Sequence, residues 1–583
     1  MLNAYPFLGL ACLSAVCCAA EAPATVLHYR VQIVAPGDLR DLLEKHLDLV
    51  KWQGDPRLTQ EQLERLIATA PEGAAALLAT EGYFTPDIRV NQQGTPDKPE
   101  IILSVEPGRP VLVSKIDVQL QGAITEQAEQ ESRLNERIES GWALETGQRF
   151  QQSLWDQSKR IALDRLLARD YPTARIVASQ ALIDPESATA QLSLTLDSGP
   201  AYTYGPLRIE GLQRYPEKMV RNHVKFAEGD SYRRRQMLNL QTDLQNLPQF
   251  SSVLVEPDFA DESPFNAPVT VRVVEAPLHK VGLGAGYSTN TGLRTTLDYR
   301  YLNLFGEGLT FSSKFNLEQK EQTIDVNILF PRDPRGYDFA SYVNLKKNDI
   351  AGLETTSYTV GTSRMKQEFR LERTMVLEYQ TEDRSSTGIS QNPQALTFNY
   401  ILKSREIDSI RDPRDGLLAQ VEIGGATEAL LSDTSFLRVY GRGIQYLKMP
   451  GNGVVIGRLE LGQTFASNES TVPTNWLFRA GGTNSVRGYG YQTLGIQGNG
   501  ATLPGQVLAT ASLEIQQPVY KDWRAAVFVD YGGAEKNWSS LDPVTGTGIG
   551  ARWISPAGSL GADIAYGIDA RQWRLSLALG LAL

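Results

Sequence analysis

The final eleven residues alternate strictly: Trp573, Leu575, Leu577, Leu579, Leu581 and Leu583 fall on one face of an extended chain, and Arg574, Ser576, Ala578, Gly580 and Ala582 on the other. A period of two gives no apolar stripe on a helix, so this segment is predicted to be a strand with one greasy face and one small or polar face. The same pattern recurs upstream. In LTFSSKFNL, Leu309, Phe311, Phe315 and Leu317 share a face, and in LTFNYILK, Leu396, Phe398, Tyr400 and Leu402 do. From Val281 onward there are strands and turns without a convincing helical period. The roughly 300 residues from 280 to 583 accommodate about 16 membrane strands of about 9 to 11 residues each with their connections, which predicts an antiparallel transmembrane barrel with an even strand count. A soluble β-sandwich or propeller is the competing architecture; alternation that runs to the end of the chain, behind an export signal, favours closure in lipid.

That signal is the segment MLNAYPFLGLACLSAVCCAA, residues 1–20, which is apolar, too short to span comfortably and ends in small residues, with cleavage expected near Ala20. All three cysteines (Cys12, Cys17 and Cys18) lie inside it, so disulfides and thiolate chemistry are not expected in the mature chain. A net charge of −10 argues against a nucleic-acid partner. His28, His46, His223 and His279 are scattered, and no cluster has metal-ligand spacing, so neither an enzyme nor a metal or other cofactor is expected. The run Arg233, Arg234, Arg235 reads as the solvated start of a helix.

Between the signal and the barrel, three segments end alike. EIILSVEPGRPVLVSKIDV, AQLSLTLDSGPAYTYGPLRI and APVTVRVVEAPLHKVGLGAG each join two period-two strands through a turn with Gly or Pro. Helical patterning precedes each of them. Leu39, Leu42, Leu43 and Leu47 form one stripe, and Thr59 to Gln62 is a capping box ahead of Leu63, Leu66 and Ile67. Phe150, Leu154, Ile161 and Leu166 form the second stripe, and Met237, Leu240, Leu244 and Leu247 the third. The pattern predicts three small α+β modules, over residues 25–108, 109–200 and 201–277, followed by the barrel at 280–583.

One loop stands apart from this texture. GGTNSVRGYG, residues 481–490, carries a single cation, Arg487, among glycines. Parity locates candidate partners for it. In ATASLEIQQP, Leu513 and Ile515 share a face, leaving Glu514 on the other; in AAVFVDYGG, Val527, Val529 and Tyr531 share a face, leaving Phe528, Asp530 and Gly532 opposite. If the apolar faces meet lipid, Glu514 and Asp530 face the lumen. A loop folded inward would place Arg487 between them, with Gly488 and Gly490 allowing a sharp, crowded tip. The spacing is equally compatible with an ordinary outer loop and a solvated arginine.

The stretch FRAGGTNSVRGYGYQTLG resembles the lumen-loop signature of the outer-membrane assembly-factor superfamily that includes BamA, TamA and the two-partner secretion transporters. Its V-R-G-[FY] core corresponds to Val486, Arg487, Gly488 and Tyr489, its lumen acids to Glu514 and Asp530, and its F-x-D-x-G pattern to Phe528, Asp530 and Gly532. DSIRDPRDG resembles the D-P-[RK]-x-G barrel turn, with Asp412, Pro413 and Gly416 at the matching positions. The superfamily precedes its barrel with polypeptide-transport-associated (POTRA) modules, and three of them at this length resemble its TamA branch. The resemblance implies an outer-membrane barrel with periplasmic modules that inserts or translocates outer-membrane proteins such as autotransporters at a seam between its first and last strands. It also implies a TamB-like inner-membrane-anchored partner and contact with outer-membrane lipid. Secretion of one dedicated exoprotein through the lumen, or phospholipid traffic with the TamB-like partner, are the alternative functions. Gly580 and Ala582, small and inward, are expected to let the last strand bend.

Overall fold

A computed structural model describes residues 28–580 except 96–97, 127, 260–265, 369, 387–388, 499 and 556–557. The expected signal with its three cysteines, and Ala582 of the last strand, lie outside the described residues. The chain divides into two compact units: Met1–Pro206 with Ala227–Arg235 and Pro257–Pro268, and Leu207–Phe226 with Gln236–Glu256 and Val269–Leu583.

In the first unit, strand Lys98–Glu106 lies between Arg30–Val34, to which it is parallel, and Asp87–Thr95, to which it is antiparallel. Helices Gly37–His46 and Gln60–Thr80 close over one face, burying Leu39, Leu43, Leu63 and Leu78 against Ile101 and Leu103. The capping box forms. Thr59 Oγ1 accepts from the Gln62 N–H at 3.3 Å, and Gln62 Oε1 accepts from the Thr59 N–H at 2.9 Å. A second sheet has Thr189–Asp197 between Leu112–Gln121 and Arg175–Asp184, under helix Gln152–Leu167. The buried face of that helix is Trp155, Ser158, Ala162 and Leu166; Leu154 and Ile161 flank it half-buried, and Phe150 precedes the helix. The stripe is therefore rotated from the apolar one, because Ser158 earns an interior place: its hydroxyl takes the N–H groups of Ala143 at 3.1 Å and Leu144 at 3.3 Å.

A third sheet has Ala267–Glu275 between Tyr204–Glu210 and Phe250–Pro257. Helix Arg234–Gln245 buries Met237, Leu240 and Leu244, with Leu247 beyond its end. Within the second unit this module is fastened to the turns at the near end of the barrel. Gln249 Nε2 donates to Thr310 Oγ1 at 2.8 Å, Asn222 Nδ2 to the Arg332 carbonyl at 2.6 Å and Lys280 Nζ to the Pro248 carbonyl at 2.8 Å.

The barrel is one antiparallel sheet of sixteen long strands in chain order, from His279–Ser288 to Gln572–Gly580, with the short Ile389–Gln391 appended to one hairpin. Parity holds around it. Leu283, Phe398, Leu459, Val527, Ile549 and Trp573 are exposed on the outside, whereas Thr355, Gln380, Thr464, Glu514 and Asp530 are buried inside. An apolar exterior and polar interior suit lipid outside, since a cation at the midplane of the lipid face costs about 2–4 kcal/mol. No described helix is long and apolar enough to cross a membrane. The first strand has 10 residues and the last has 9 among the described residues, the same lengths as the paired inner strands Leu309–Glu318 and Glu321–Leu329. No ladder joins them among the described residues. Among the described residues a hydrogen bond from the Leu577 N–H to Thr289 Oγ1, at 3.4 Å, crosses this seam.

Candidate functional site

The connection between strands Gly453–Ala466 and Val507–Tyr520 leaves the end of the barrel remote from the third module and turns back into the lumen. Its root is fixed by two buried residues of strand Leu371–Ser386. Glu382 accepts from the Thr474 N–H at 3.2 Å and from its hydroxyl at 2.6 Å, and Arg384 donates to the carbonyls of Val472, at 3.4 Å, and Ser470. Phe436, Val472, Trp476 and Leu477 pack there into a small apolar cluster.

The tip docks on the strand it leads into, Val507–Tyr520, and on the later strands Trp523–Glu535 and Gly558–Gly567. Arg487 is 2% exposed. Its backbone N–H donates to Asp530 Oδ2 at 3.0 Å, its Nε to the same oxygen at 2.6 Å and its Nη2 to Oδ1 at 2.8 Å. Nη1 donates to Glu514 Oε2 at 2.6 Å and to Asp563 Oδ2 at 3.4 Å. The guanidinium carbon lies 3.3 Å from the centroid of the Phe528 ring, so a planar cation is held at its edge by carboxylates and on its face by an aromatic quadrupole. Arg552 bridges the same acids: Nε and Nη2 donate to Glu514 at 3.0 and 2.9 Å, and Nη1 to Asp563 Oδ1 at 2.5 Å. Arg458 donates to Ser512 Oγ at 3.0 Å and lies 3.8 Å from Asp530. Three acids and three arginines thus share one network. Burial of so many charges is tolerable because their signs balance and their donors are satisfied.

Glycines make the room. A Cβ on Gly546 would strike the Arg487 carbonyl, and one on Gly548 would lie 2.6 Å from Cζ of Phe528. Gly488 has φ +93° and its Cβ would sit 2.6 Å from the Gly567 nitrogen. Gly490 needs space rather than a left-handed backbone, with a Cβ there 2.7 Å from Thr493 Cγ2; the positive φ angles of the loop's glycines fall at Gly481, Gly482 and Gly488. Val486 is buried, and the Tyr489 hydroxyl meets Asp569 Oδ2 at 2.9 Å. Gly488→Ala is expected to weaken docking of the tip by about 1–3 kcal/mol, the cost of a strained non-glycine residue. Faster proteolytic cleavage between residues 481 and 498 is the measurement.

The turn before Gly416 forms a separate contact at the module end of the lumen. Asp412 Oδ2 accepts from Arg524 Nη2 at 2.7 Å, across four intervening strands, and from Arg414 Nε at 3.0 Å. Gly416 has φ +115°, and a Cβ there would overlap the Glu406 carbonyl; at Gly532, φ +147°, it would overlap that of Ala509. Asp412, Pro413 and Arg524 border a cavity of about 210 Å³ that Arg487 and Glu514 also line, so the two motifs face one space without touching. A larger cavity of about 1290 Å³ runs from Arg405 and Arg442 to Gly284–Ser288 of the first strand and Leu577 of the last. The lumen therefore reaches the seam.

Parity points to Glu514 and Asp530; Arg458 on the preceding strand and Arg552 and Asp563 on the two following ones complete the network. The signal was present: Asp563 alternates with Ala562 and Ile564, and Arg552 with Ala551 and Trp553. Glu382, Arg384 and Arg524 were also unforeseen. Among the described residues, no group of three or more His, Cys, Asp or Glu is placed to hold a metal ion.

Residues 303–580 match the model of the Omp85 superfamily domain. The barrel is an Omp85 superfamily domain. Residues 202–276, the third module, match a POTRA model described as a surface antigen variable number repeat. An Omp85 barrel behind a POTRA domain places the chain in the outer membrane with its POTRA region in the periplasm. The chain is 24% identical over 393 residues to the outer membrane protein assembly factor BamA of Nitratidesulfovibrio vulgaris, covering 63% of this chain and 48% of that one. It is 23% identical over 397 residues to BamA of Neorickettsia risticii, covering 62% and 52%. It thus spans about half the length of these curated relatives. The crystal structure of Haemophilus ducreyi BamA lacking POTRA domains 1–3 superposes with a TM-score of 0.60 at 16% identity, over 80% of this chain and 98% of that one, which is a likeness of fold.

Proposed function

We propose that this Omp85 protein assists insertion of outer-membrane β-barrel proteins, autotransporters among them, by templating client strands at the seam between its first and last strands. The observation that carries the reading is the seam itself: no ladder joins the two terminal strands among the described residues, and a lumen cavity runs up to both. Unpaired edge groups can exchange hydrogen bonds with an incoming strand, a process that needs no nucleotide. Passage of an exoprotein through the lumen, the rival reading, would require withdrawal of a tip held by the network around Arg487. The relatives named as BamA support an assembly role. Three α+β modules ahead of the barrel favour the TamA branch and, with it, a TamB-like partner on the periplasmic side and a share in phospholipid traffic.

Reconstitution tests the proposal. Liposomes holding the full chain are expected to convert a urea-unfolded autotransporter barrel to its heat-modifiable, protease-resistant form many times faster than empty liposomes. Equal rates with and without the protein would overturn it.

A further inference from the structure

The outer wall of the barrel carries charge at one place where lipid should meet it. On strand Leu353–Glu368 the outward residues are Tyr358 and Val360, both exposed, followed toward the module end by Thr362, Arg364, Lys366 and Glu368. Arg373, outward on strand Leu371–Ser386, is the register partner of Lys366, so two cations face each other directly across the ladder. Such a pair is unfavourable by itself. Glu368 bridges it, 2.8 Å from Lys366 Nζ and 3.4 Å from Arg373 Nη2, and is thereby fully used. Arg364 is left over. It makes no ion pair among the described residues, its buried Nε has no hydrogen-bond partner, and its guanidinium carbon lies 3.6 Å from the ring centroid of Tyr337 and 5.7 Å from that of Phe339. Lys366 Nζ is 5.2 Å from the same Tyr337 ring.

The level of this patch is set by its surroundings. The turn 329–337 beside it is the one whose Arg332 carbonyl accepts from Asn222 of the POTRA domain, so the patch sits at the periplasmic boundary of the membrane. The apolar band begins just beyond it, with Val343, Val360, Met375 and Leu377. Lipid-facing cations cost least at that depth, and aromatic rings there straddle water and hydrocarbon. Three cations against one acid, an unsatisfied guanidinium N–H and an aromatic platform form a cradle for a phosphate oxyanion, which accepts from Arg and Lys donors together.

We infer that Arg364, Lys366 and Arg373, on the platform of Tyr337 and Phe339, bind the phosphodiester headgroup of a phospholipid in the periplasmic leaflet. The inference stands on the wall of the barrel and is independent of the seam. Native mass spectrometry of the full chain in a non-ionic detergent tests it, with phosphatidylglycerol, diacylglycerol, glycerol phosphate and inorganic phosphate as probes. Phosphatidylglycerol is expected to bind, and Arg364→Gln with Lys366→Gln and Arg373→Gln to weaken it at least tenfold, while Arg405→Gln in the lumen leaves it unchanged. Glu368→Gln, which removes the competing acid, is expected to tighten it, so the idea stays testable if the triple variant folds poorly. Equal binding by the triple variant, equal binding of diacylglycerol, or displacement of the lipid by equimolar inorganic phosphate would each refute a phospholipid site.

Discussion

Arg487→Ala is expected to free the tip of the lumen loop and turn a plugged barrel into a conducting one. The side chain donates to Asp530, Glu514, Asp563 and Ser512, and its removal leaves three buried acids beside two cations, Arg552 and Arg458. Breaking one partner out of a buried ion pair typically costs about 3–5 kcal/mol, and most of that falls on the docked state of the tip. The root of the loop keeps its own anchors, Glu382 and Arg384, so only the segment around residues 481–498 should move. Single-channel currents across a planar bilayer are expected to rise several-fold, together with protease cutting near the tip. Arg487→Lys should fall between, because an ammonium keeps the charge and loses the two-pronged contact with Asp530 and the flat packing on Phe528. Currents and cutting unchanged from the parent chain would show that the network does not hold the loop.

Cysteines at 289 and 577 are expected to stop client insertion when oxidised and to restore it when reduced. The Leu577 N–H lies 3.4 Å from Thr289 Oγ1, so the two residues are neighbours across the seam. The native cysteines, at positions 12, 17 and 18, are remote in sequence from both. A bond there closes the seam while leaving the lumen network intact, so insertion should drop to the rate of empty liposomes. The control is a pair at Ile549 and Ile564, register partners in an intact ladder, whose crosslink should change nothing. Insertion at full rate through a locked seam would defeat the templating mechanism. Secretion of an exoprotein that survives the lock and is lost only when the tip is held would favour the lumen route.

Much of this architecture was legible because it is written in local periods. Alternation placed Leu513 and Ile515 outside and Glu514 inside, and Val527, Val529 and Tyr531 outside and Asp530 inside, as the exposures bear out. The 3.6-residue period found the buried face of helix Arg234–Gln245, and a four-residue motif found the start of helix Gln60–Thr80. Helix Gln152–Leu167 was less transparent, since Ser158 owes its burial to backbone donors of Ala143 and Leu144, fifteen and fourteen residues away.

The sequence by itself determined which residues face lipid, which face the lumen and where modules give way to strands, because side-chain direction along a strand or helix depends only on position in a short repeat. Only the tertiary structure decided that the loop folds inward, that Asp563 and Arg552 join Arg487, Glu514 and Asp530, and that no ladder joins the terminal strands among the described residues. These contacts join residues 76, 38 and 288 positions apart. Their geometry is set by how the curved sheet brings distant strands to the same height, which no local repeat encodes.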